Sequence, residues 1–259
     1  MSDSNLAALA IRAYRDVQIE MGMDPSNGQV LFPALSEALE RISNLPDDSL
    51  LLGIAADGLP LLLQLRDSRP GPVLLLGEKG SGKTEFLQVL LHSPHGFSVS
   101  SATLFAVLTG HPSEFDDIPE AENFLGVWAS YAAETADMLY QLACRVQYPM
   151  PSAPVLLLLD GLENVLQLDE SAQENLAYIL TYGPQSLVWP IVTLNSEMAL
   201  KIPQWLAYFR TRIFGRITNP HTAETLTKHP GAALDSLFPG SQFCLRRNGK
   251  WLKFWLPNI

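Results

Sequence analysis

A glycine-rich octapeptide near residue 80 constrains the fold of this chain more than any other feature of its sequence. It follows the spacing G-x-x-x-x-G-K-[ST] and consists of Gly77, Glu78, Lys79, Gly80, Ser81, Gly82, Lys83 and Thr84. The apolar residues 73–76 precede it and predict a buried strand, and residues 85–91 carry apolar side chains at helical spacing. A strand, a glycine-rich turn and a helix in this order are typical of a phosphate-binding loop, the Walker A motif.

The chemistry of such a loop explains the spacing. Glycines allow backbone conformations in which successive N–H groups face one phosphate, and the following helix directs its positive end at the same anion. Lys83 is predicted to reach the β- and γ-phosphates of ATP, and Thr84 to offer its hydroxyl to Mg²⁺. The residues predicted to bind the nucleotide are Gly77, Glu78, Lys79, Gly80, Ser81, Gly82, Lys83, Thr84 and Glu85. The alternative is a glycine-rich turn with a chance lysine, which leaves the flanking strand and helix unexplained.

A second apolar run, residues 154–160, ends in Asp160. An apolar run without polar interruption predicts a central parallel strand that is buried on both faces. The carboxyl end of this strand would bring Asp160 beside the loop as a Walker B aspartate, where it would hold Mg²⁺ through water. Thr84 and Asp160 are therefore the two residues predicted to bind the metal. Apolar runs that end in aspartate are common in α/β proteins, so the upstream loop is what favours the metal role.

Two further polar residues are candidates for catalytic roles beside Lys83. Residues 187–194 predict another strand, and Asn195 at its end would sense the γ-phosphate or place a water; the alternative is an ordinary turn residue. Glu163 follows Asp160 by three positions and would face the site if the chain turns into a helix there.

The acidic balance of the chain bears on its partners and location. A net charge of −10 and a pI near 4.9 argue against a free-standing nucleic-acid binder, which usually has a basic face. A local basic patch would lie in the C-terminal part, which contains Arg210, Arg212, Arg216, Arg246, Arg247, Lys250 and Lys253.

No apolar run approaches the roughly 20 residues that span a bilayer, and the start has no signal-peptide pattern. We therefore expect a soluble, cytoplasmic protein without a membrane segment.

The order of the predicted elements favours one large domain with an N-terminal addition. Residues 1–48 predict a helical segment and residues 49–259 the nucleotide-binding core. Hairpins are expected at 51–65 and 242–256, strands at 97–108, 124–128 and 211–217, and helices at 132–146, 173–181 and 199–209. The alternation of strands and helices predicts an α/β fold, a mostly parallel sheet between helices, with β-hairpin additions.

From about residue 51 to residue 257 the layout resembles the motor domain of FtsK/HerA-type ATPases, which are ASCE P-loop NTPases, in a divergent and minimal form. Gly53, Gly58 and Pro60 match the family's G-x-D-x-x-G-x-P segment, with Ala55 at the aspartate position. Three later segments are similar to the family's A-T-Q-R, T-R-I and G-x-G-x-x-L motifs, the last loosely and with Gln242 at its second glycine; they are residues 193–196, 211–213 and 240–245.

The departures from the family pattern affect the expected chemistry. The family places a glutamate directly after the Walker B aspartate to polarise the attacking water, whereas this chain has Gly161 there and Glu163 as the nearest replacement. Asn195 stands where the family has its sensor glutamine. Arg212 matches the T-R-I arginine, which implies a catalytic role at a subunit boundary, with a structural salt bridge as the alternative. The lower arm that loops onto DNA and a basic winged-helix module are not evident.

The resemblance implies an ATP-hydrolysing protein that works as a homo-oligomer, and DNA is a partner by resemblance alone. A second hypothesis is a nucleotide-binding switch or scaffold with little turnover, which Gly161, the acidic balance and the missing DNA arm favour. A third, a small-molecule phosphotransferase, needs an arginine-rich lid, and no such segment lies between Thr84 and Asp160.

Overall fold

A computed structural model describes residues 48–92, 103–116, 123–149 and 153–257 of the chain. Apart from Pro257 these residues belong to one compact unit, Asn44–Leu256. The helical segment predicted for residues 1–48 lies outside them except for Asp48, and so does the first part of the strand predicted at 97–108.

Ten strands form one sheet. They are β1 (Ser49–Ala55), β2 (Pro60–Gln64), β3 (Val73–Gly77), β4 (Leu104–Thr109), β5 (Phe124–Ala129), β6 (Val155–Asp160), β7 (Val188–Asn195), β8 (Thr211–Phe214), β9 (Gln242–Arg247) and β10 (Lys250–Trp255). Their order is β2-β1-β10-β9-β8-β3-β7-β6-β4-β5. The six strands from β8 to β5 pair in parallel, and β9, β10, β1 and β2 continue the sheet with antiparallel pairs.

The described helices are α1 (Lys83–His92), α2 (Ala133–Gln147), α3 (Leu162–Val165), α4 (Glu170–Tyr182), α5 (Ser196–Lys201) and α6 (Pro220–Thr227). Short 3-10 turns lie at Pro112–Phe115, Gly183–Ser186, Trp205–Tyr208 and Leu234–Ser236. Within these ranges no helix is long and apolar enough to cross a membrane.

Helices cover both faces of the sheet. Leu74 and Leu76 of β3 belong to the large hydrophobic core that also contains the buried side chains of α2 and α4. Cys244 of β9 belongs to the same core, and Phe243, its neighbour, therefore points to the opposite face. Phe86 of α1 packs edge-on against Phe243 there, with ring centroids 5.2 Å apart. The predicted fold class, a mostly parallel sheet between helices with β-hairpin additions, is confirmed.

The apolar runs became central strands because every side chain in them is removed from water. The apolar residues of β3 and β6 are fully buried, as expected for parallel strands that are covered on both faces. Both predicted hairpins are present, β1 with β2 and β9 with β10. This part of the chain therefore folds as its local pattern predicts.

Two predicted elements differ from the structure. The helix expected at 199–209 is divided into α5 and the turn Trp205–Tyr208, because Pro203 has no N–H to continue a helix and disfavours the helical conformation of Ile202. The strand expected at 211–217 ends at Phe214. Beyond it Gly215 still donates to Leu76 of β3, and Arg216 accepts from Glu78 of the loop. Backbone hydrogen bonds between the two chain segments therefore continue beyond the sheet into the glycine-rich loop.

Candidate nucleotide site

The glycine-rich loop joins β3 to α1 and adopts a backbone that only glycine tolerates easily. Gly80 and Gly82 have φ angles of +76° and +92°, in the left-handed region. At Gly82 an added Cβ would lie 2.7 Å from the backbone of Gly240, so the loop also packs tightly on the segment before β9. Helix α1 begins at Lys83, and its amino end faces the turn. The local pattern of glycines therefore produces a concave loop at a helix N-terminus, which suits an anion.

Lys83 lies half-buried inside the loop. Its Nζ donates to the carbonyl oxygens of Gly77, at 3.1 Å, and Glu78, at 2.8 Å. Burial lowers the pKa of Lys83, and the negative charges of Asp160 and Glu163 oppose that shift. The ammonium group is thus held over the loop and faces two carboxylates across the cleft.

The hydroxyl of Thr84 meets the carboxylate of Asp160 directly. Thr84 Oγ1 donates to Asp160 Oδ2 at 2.9 Å, and the two residues are separated by 76 positions in the chain. Asp160 is the last residue of β6, and Thr84 is the second residue of α1. The carboxyl edge of the sheet therefore brings together the two residues that the sequence assigns to Mg²⁺.

Thr193 completes this contact and was not identified from the sequence. Its Oγ1 donates to Asp160 Oδ1 at 2.7 Å and accepts from the backbone N–H of Gly161 at 2.8 Å. Thr193 lies in β7, which the sheet order places between β3 and β6. The available signal was a single hydroxyl residue in an otherwise apolar strand, two positions before Asn195. Its role depends on strand adjacency, which that signal does not give.

Glu163 lies in the cleft near Lys83 and Asp160, on the short helix α3 that follows β6. Burial raises the pKa of Glu163 above its ordinary value, while backbone N–H groups and the charge of Lys83 offset part of that shift. Its Oε2 is buried and makes no hydrogen bond with any described residue. A buried carboxylate oxygen without a partner is costly and is suited to receiving a proton or a bound water.

The backbone at Gly161 disfavours a glutamate directly after Asp160. Its φ of +88° is left-handed, and it caps the start of α3. A Cβ at this position would lie 2.6 Å from Nδ2 of Asn164. A side chain there would be strained by the left-handed backbone and would have to push the amide of Asn164 aside, which favours a later acid such as Glu163 for the cleft.

Asn195 ends β7 and lines the same cleft. Its Oδ1 accepts from the backbone N–H of Glu197 at 3.0 Å, which makes Asn195 the N-cap of α5. The oxygen of its amide is therefore engaged in a structural role, and its Nδ2 makes no hydrogen bond with the described part of the chain.

Of the remaining predicted site residues, some line the cleft and others make contacts outside it. Lys79 and Glu85 line the cleft. Glu78 instead directs its carboxylate outward, where Oε2 accepts from the backbone N–H and the hydroxyl of Thr218. Arg212 donates to the carbonyl oxygen of Leu206 at 2.6 Å and is not among the residues that line the cleft. Within one chain, Arg212 therefore has a structural contact.

The cleft has a volume of about 490 Å³ and is open to solvent. This volume is in the range of small-molecule and cofactor sites, about 300–1,000 Å³. Two cations, Lys79 and Lys83, line it together with hydroxyl and carboxylate oxygens. Such a lining suits a phosphorylated ligand and a hard divalent cation.

The fold is shared with solved ATPase structures, although no protein-family model matches the chain and no curated protein matches its sequence. EssC (ATPases 2 and 3) from Geobacillus thermodenitrificans superposes with a TM-score of 0.68 at 18% identity, over 88% of this chain and 45% of that chain. EccC (ATPases 2 and 3) from Thermomonospora curvata, in complex with a signal sequence peptide, gives 0.64 at 12% identity, over 88% and 42%. The pCW3 conjugation coupling protein TcpA, with ATPγS, gives 0.65 at 12% identity, over 84% and 68%.

These likenesses confirm the P-loop NTPase fold that the FtsK/HerA resemblance predicts. The chain spans less than half the length of the EssC and EccC structures. Identities of 12–18% show a common fold and leave the activity to be argued from the site.

Proposed function

We propose that this chain binds ATP with Mg²⁺ in the cleft and hydrolyses it. The observation that carries the proposal is the 2.9 Å contact between Thr84 Oγ1 and Asp160 Oδ2, which places a hydroxyl and a carboxylate beside Lys83. The ATPγS that accompanies TcpA supports the choice of nucleotide, since that protein shares the fold. The substrate class would be a nucleoside triphosphate, and the reaction would be attack of water on the γ-phosphate.

The residues present fit a magnesium ion. Mg²⁺ is a hard cation that prefers oxygen ligands such as hydroxyl and carboxylate groups, and it usually keeps several of its waters. The hydroxyl of Thr84 and, through water, the carboxylate of Asp160 would hold the ion, and Thr193 orients the second carboxylate oxygen. Mg²⁺, when bound, would neutralise charge on the phosphates. Thr84 would give up its hydrogen bond to Asp160 when the ion enters.

The other residues have distinct tasks. The N–H groups of the loop and Lys83 would bind the β- and γ-phosphates, and Lys83 would exchange its contacts with Gly77 and Glu78 for the nucleotide. Glu163 would accept the proton of the attacking water, because its Oε2 is buried and without a partner in the described structure. Asn195 would donate its Nδ2 to the γ-phosphate while its Oδ1 caps α5.

The first test is nucleotide binding and steady-state turnover by the protein and its Lys83→Ala variant. We expect Lys83→Ala to lose binding or hydrolysis, because a buried cation that faces the phosphates is removed. Lys201→Ala is the matched control, since Lys201 is exposed at the end of α5 and does not line the cleft. Unchanged affinity and turnover in Lys83→Ala would reject the site assignment.

The second test separates binding from chemistry. Glu163→Gln keeps the size of the side chain and removes its ability to take a proton. Turnover should fall by about 10²–10⁴-fold, the usual contribution of a general base, while ATP affinity stays within about twofold. A normal rate in Glu163→Gln would mean that Glu163 is not the base.

A second candidate function is a nucleotide-binding switch or scaffold with little turnover. The observation that favours it is the left-handed Gly161 directly after Asp160, where the backbone disfavours an acid. Tight binding of ATP together with negligible turnover, in the presence and absence of duplex DNA, would select this function over hydrolysis.

Contact with DNA is a further part of the proposal, and the charge distribution favours one surface for it. Residues 200–259 carry nine of the 17 lysines and arginines but two of the 27 acidic residues. At the tip of the β9–β10 hairpin Arg246, Arg247 and Lys250 are exposed, and Lys250 pairs directly with Arg247 across the strands. None of the ion pairs between described residues includes them. Like charges opposite each other destabilise a hairpin, which is offset when a polyanion binds.

The corresponding experiment measures binding of duplex DNA at several salt concentrations. Replacing all three hairpin cations with alanine should weaken binding and reduce the slope of log K against log salt by about 3. Lys201→Ala is the control, and absence of binding by the parent protein at low salt would reject a DNA partner.

Assembly into a homo-oligomer, with Arg212 at the boundary, rests on the resemblance alone and is tested by light scattering with and without ATP.

A further inference from the structure

The amide of Asn164 occupies a seat between two glycines at the carboxyl edge of the sheet. Gly110 follows β4 and Gly161 follows β6, and the residues before them, Thr109 and Asp160, are paired in register. A Cβ on Gly110 would lie 2.8 Å from Asn164 Nδ2, and a Cβ on Gly161 would lie 2.6 Å from the same atom. The amide therefore fits only because both strands continue into glycine.

The hydrogen-bonding capacity of this amide is unused. Asn164 lines the cleft beside Glu163, with its backbone fixed by a hydrogen bond from its own N–H to Gly161 O at 3.0 Å. Its side chain forms no hydrogen bond with any residue in the described ranges, although an amide offers two donors and an acceptor. Of the other two side-chain amides that line the cleft, Asn195 accepts through its oxygen from Glu197, and Gln88 donates to the carbonyl oxygen of Glu114.

We propose that Asn164 orients the attacking water for Glu163, as a catalytic residue held by the seat of Gly110 and Gly161. This inference rests on the proposed hydrolysis. Asn164 Oδ1 would accept one O–H of the water, while Glu163 accepts the other. A water held by two acceptors directs its lone pair away from both, toward the phosphorus.

The step balances without a further reactant. The water oxygen forms a bond to the γ-phosphorus, and the bond from that phosphorus to the β–γ bridging oxygen breaks. The water proton passes to Glu163, and ADP leaves with the electron pair of the broken bond. Asn164 keeps its protons and contributes only orientation.

The seat gives a way to disturb Asn164 without replacing it. Gly110 does not have a left-handed φ, so an alanine there meets no backbone strain. The atom that its methyl group would approach is the far end of a flexible side chain, which can move away. Gly110→Ala should therefore displace the amide and leave the fold intact.

The experiment compares Asn164→Ala, Gly110→Ala and the double variant. Asn164→Ala and Gly110→Ala should each lower kcat by at least about tenfold, with KM for ATP within about twofold, because the interaction forms in the transition state. The double variant should be no worse than Asn164→Ala, because the methyl group then has no amide to displace. Gln167→Ala is the control: it removes an exposed amide three residues later that does not line the cleft.

Binding of ADP with aluminium fluoride provides a readout that does not need turnover. Asn164→Ala should weaken this mimic of the transition state by about the same factor as kcat, and should leave the affinity for ADP alone unchanged. Thermal unfolding midpoints that match the parent protein exclude a loss of structure.

The outcomes separate the two proposals. A parent protein that binds no nucleotide, or binds it without turnover, overturns the proposed hydrolysis and this inference with it. A parent protein that hydrolyses ATP, together with an Asn164→Ala variant of normal kcat and normal affinity for the mimic, overturns the inference alone. Additive losses in the double variant would show that Gly110 does not act through Asn164.

Discussion

Thr193 offers the sharpest test of how this site is built. Thr193→Val replaces the hydroxyl with a methyl group of similar size, so the buried position in β7 stays filled. Two partners are affected: Asp160 Oδ1 loses a donor at 2.7 Å, and the N–H of Gly161 loses its acceptor at 2.8 Å. Thr193 is 1% exposed, so water cannot readily take the place of its hydroxyl.

The magnitude follows from those two contacts. A buried polar group left without a partner costs about 1–3 kcal/mol, and Asp160, which is half-exposed, recovers part of its loss from solvent. We expect Thr193→Val to lower the free energy of unfolding by about 2 kcal/mol. Groups that orient a metal-binding carboxylate affect metal affinity by about 10–100-fold, so binding of ATP with Mg²⁺ should weaken by at least about tenfold.

The assays are urea unfolding without nucleotide and calorimetric titration with ATPγS and Mg²⁺. Thr193→Ser is the matched control, because it keeps the hydroxyl and removes only the methyl group. A Thr193→Val protein with the stability and affinity of the parent would refute the reasoning. Equal losses in Thr193→Ser and Thr193→Val would assign the effect to packing of the methyl group.

Three more predictions concern the neighbouring residues. The folded state raises the pKa of Glu163 above its ordinary 4.5, so ionising this residue costs folding stability as pH rises through the raised value. Urea unfolding should therefore show Glu163→Gln to be more stable than the parent at neutral pH and equal to it below about pH 4. Gly161→Glu should not restore turnover to Glu163→Gln, because any side chain at that left-handed position strains the backbone and also displaces the amide of Asn164; a rescued rate would contradict this geometry. Gly82→Ala should cost about 1–3 kcal/mol and abolish ATP binding, since its Cβ would strike the backbone of Gly240; normal binding would refute the tight packing.

The parts of the fold that could be predicted from sequence are those with a local cause. The strand before Gly77, the turn and helix α1 follow from hydrophobic pattern and glycine spacing, and so does the buried run that ends in Asp160. Both hairpins follow from turn dipeptides between apolar runs. Each of these features is encoded within about twenty residues.

The parts that sequence reasoning missed depend on which strands become neighbours. Thr193 contacts Asp160 only because β7 lies next to β6, and a contact between residues 33 positions apart leaves no local pattern. Asn164 has its place because two separate strands both continue into glycine. The turn at Gly161 places Glu163 in the cleft, a position that the sequence made conditional on a helix after Asp160. The catalytic role of Glu163 stays a prediction.

The pairing of β1 with β10 has a consequence for how the molecule is made. Ile54 and Trp255 are register partners about 200 residues apart, and Phe254 of the same strand packs against Phe86 of α1. During synthesis, β1 and β2 emerge from the ribosome long before the strand that completes their sheet. Contacts of such long sequence separation form late and slow the search for the native state. We therefore expect the helix that carries the phosphate loop to acquire its aromatic support near the end of folding, and a nascent chain stopped before β9 to have the loop sequence without its fixed shape.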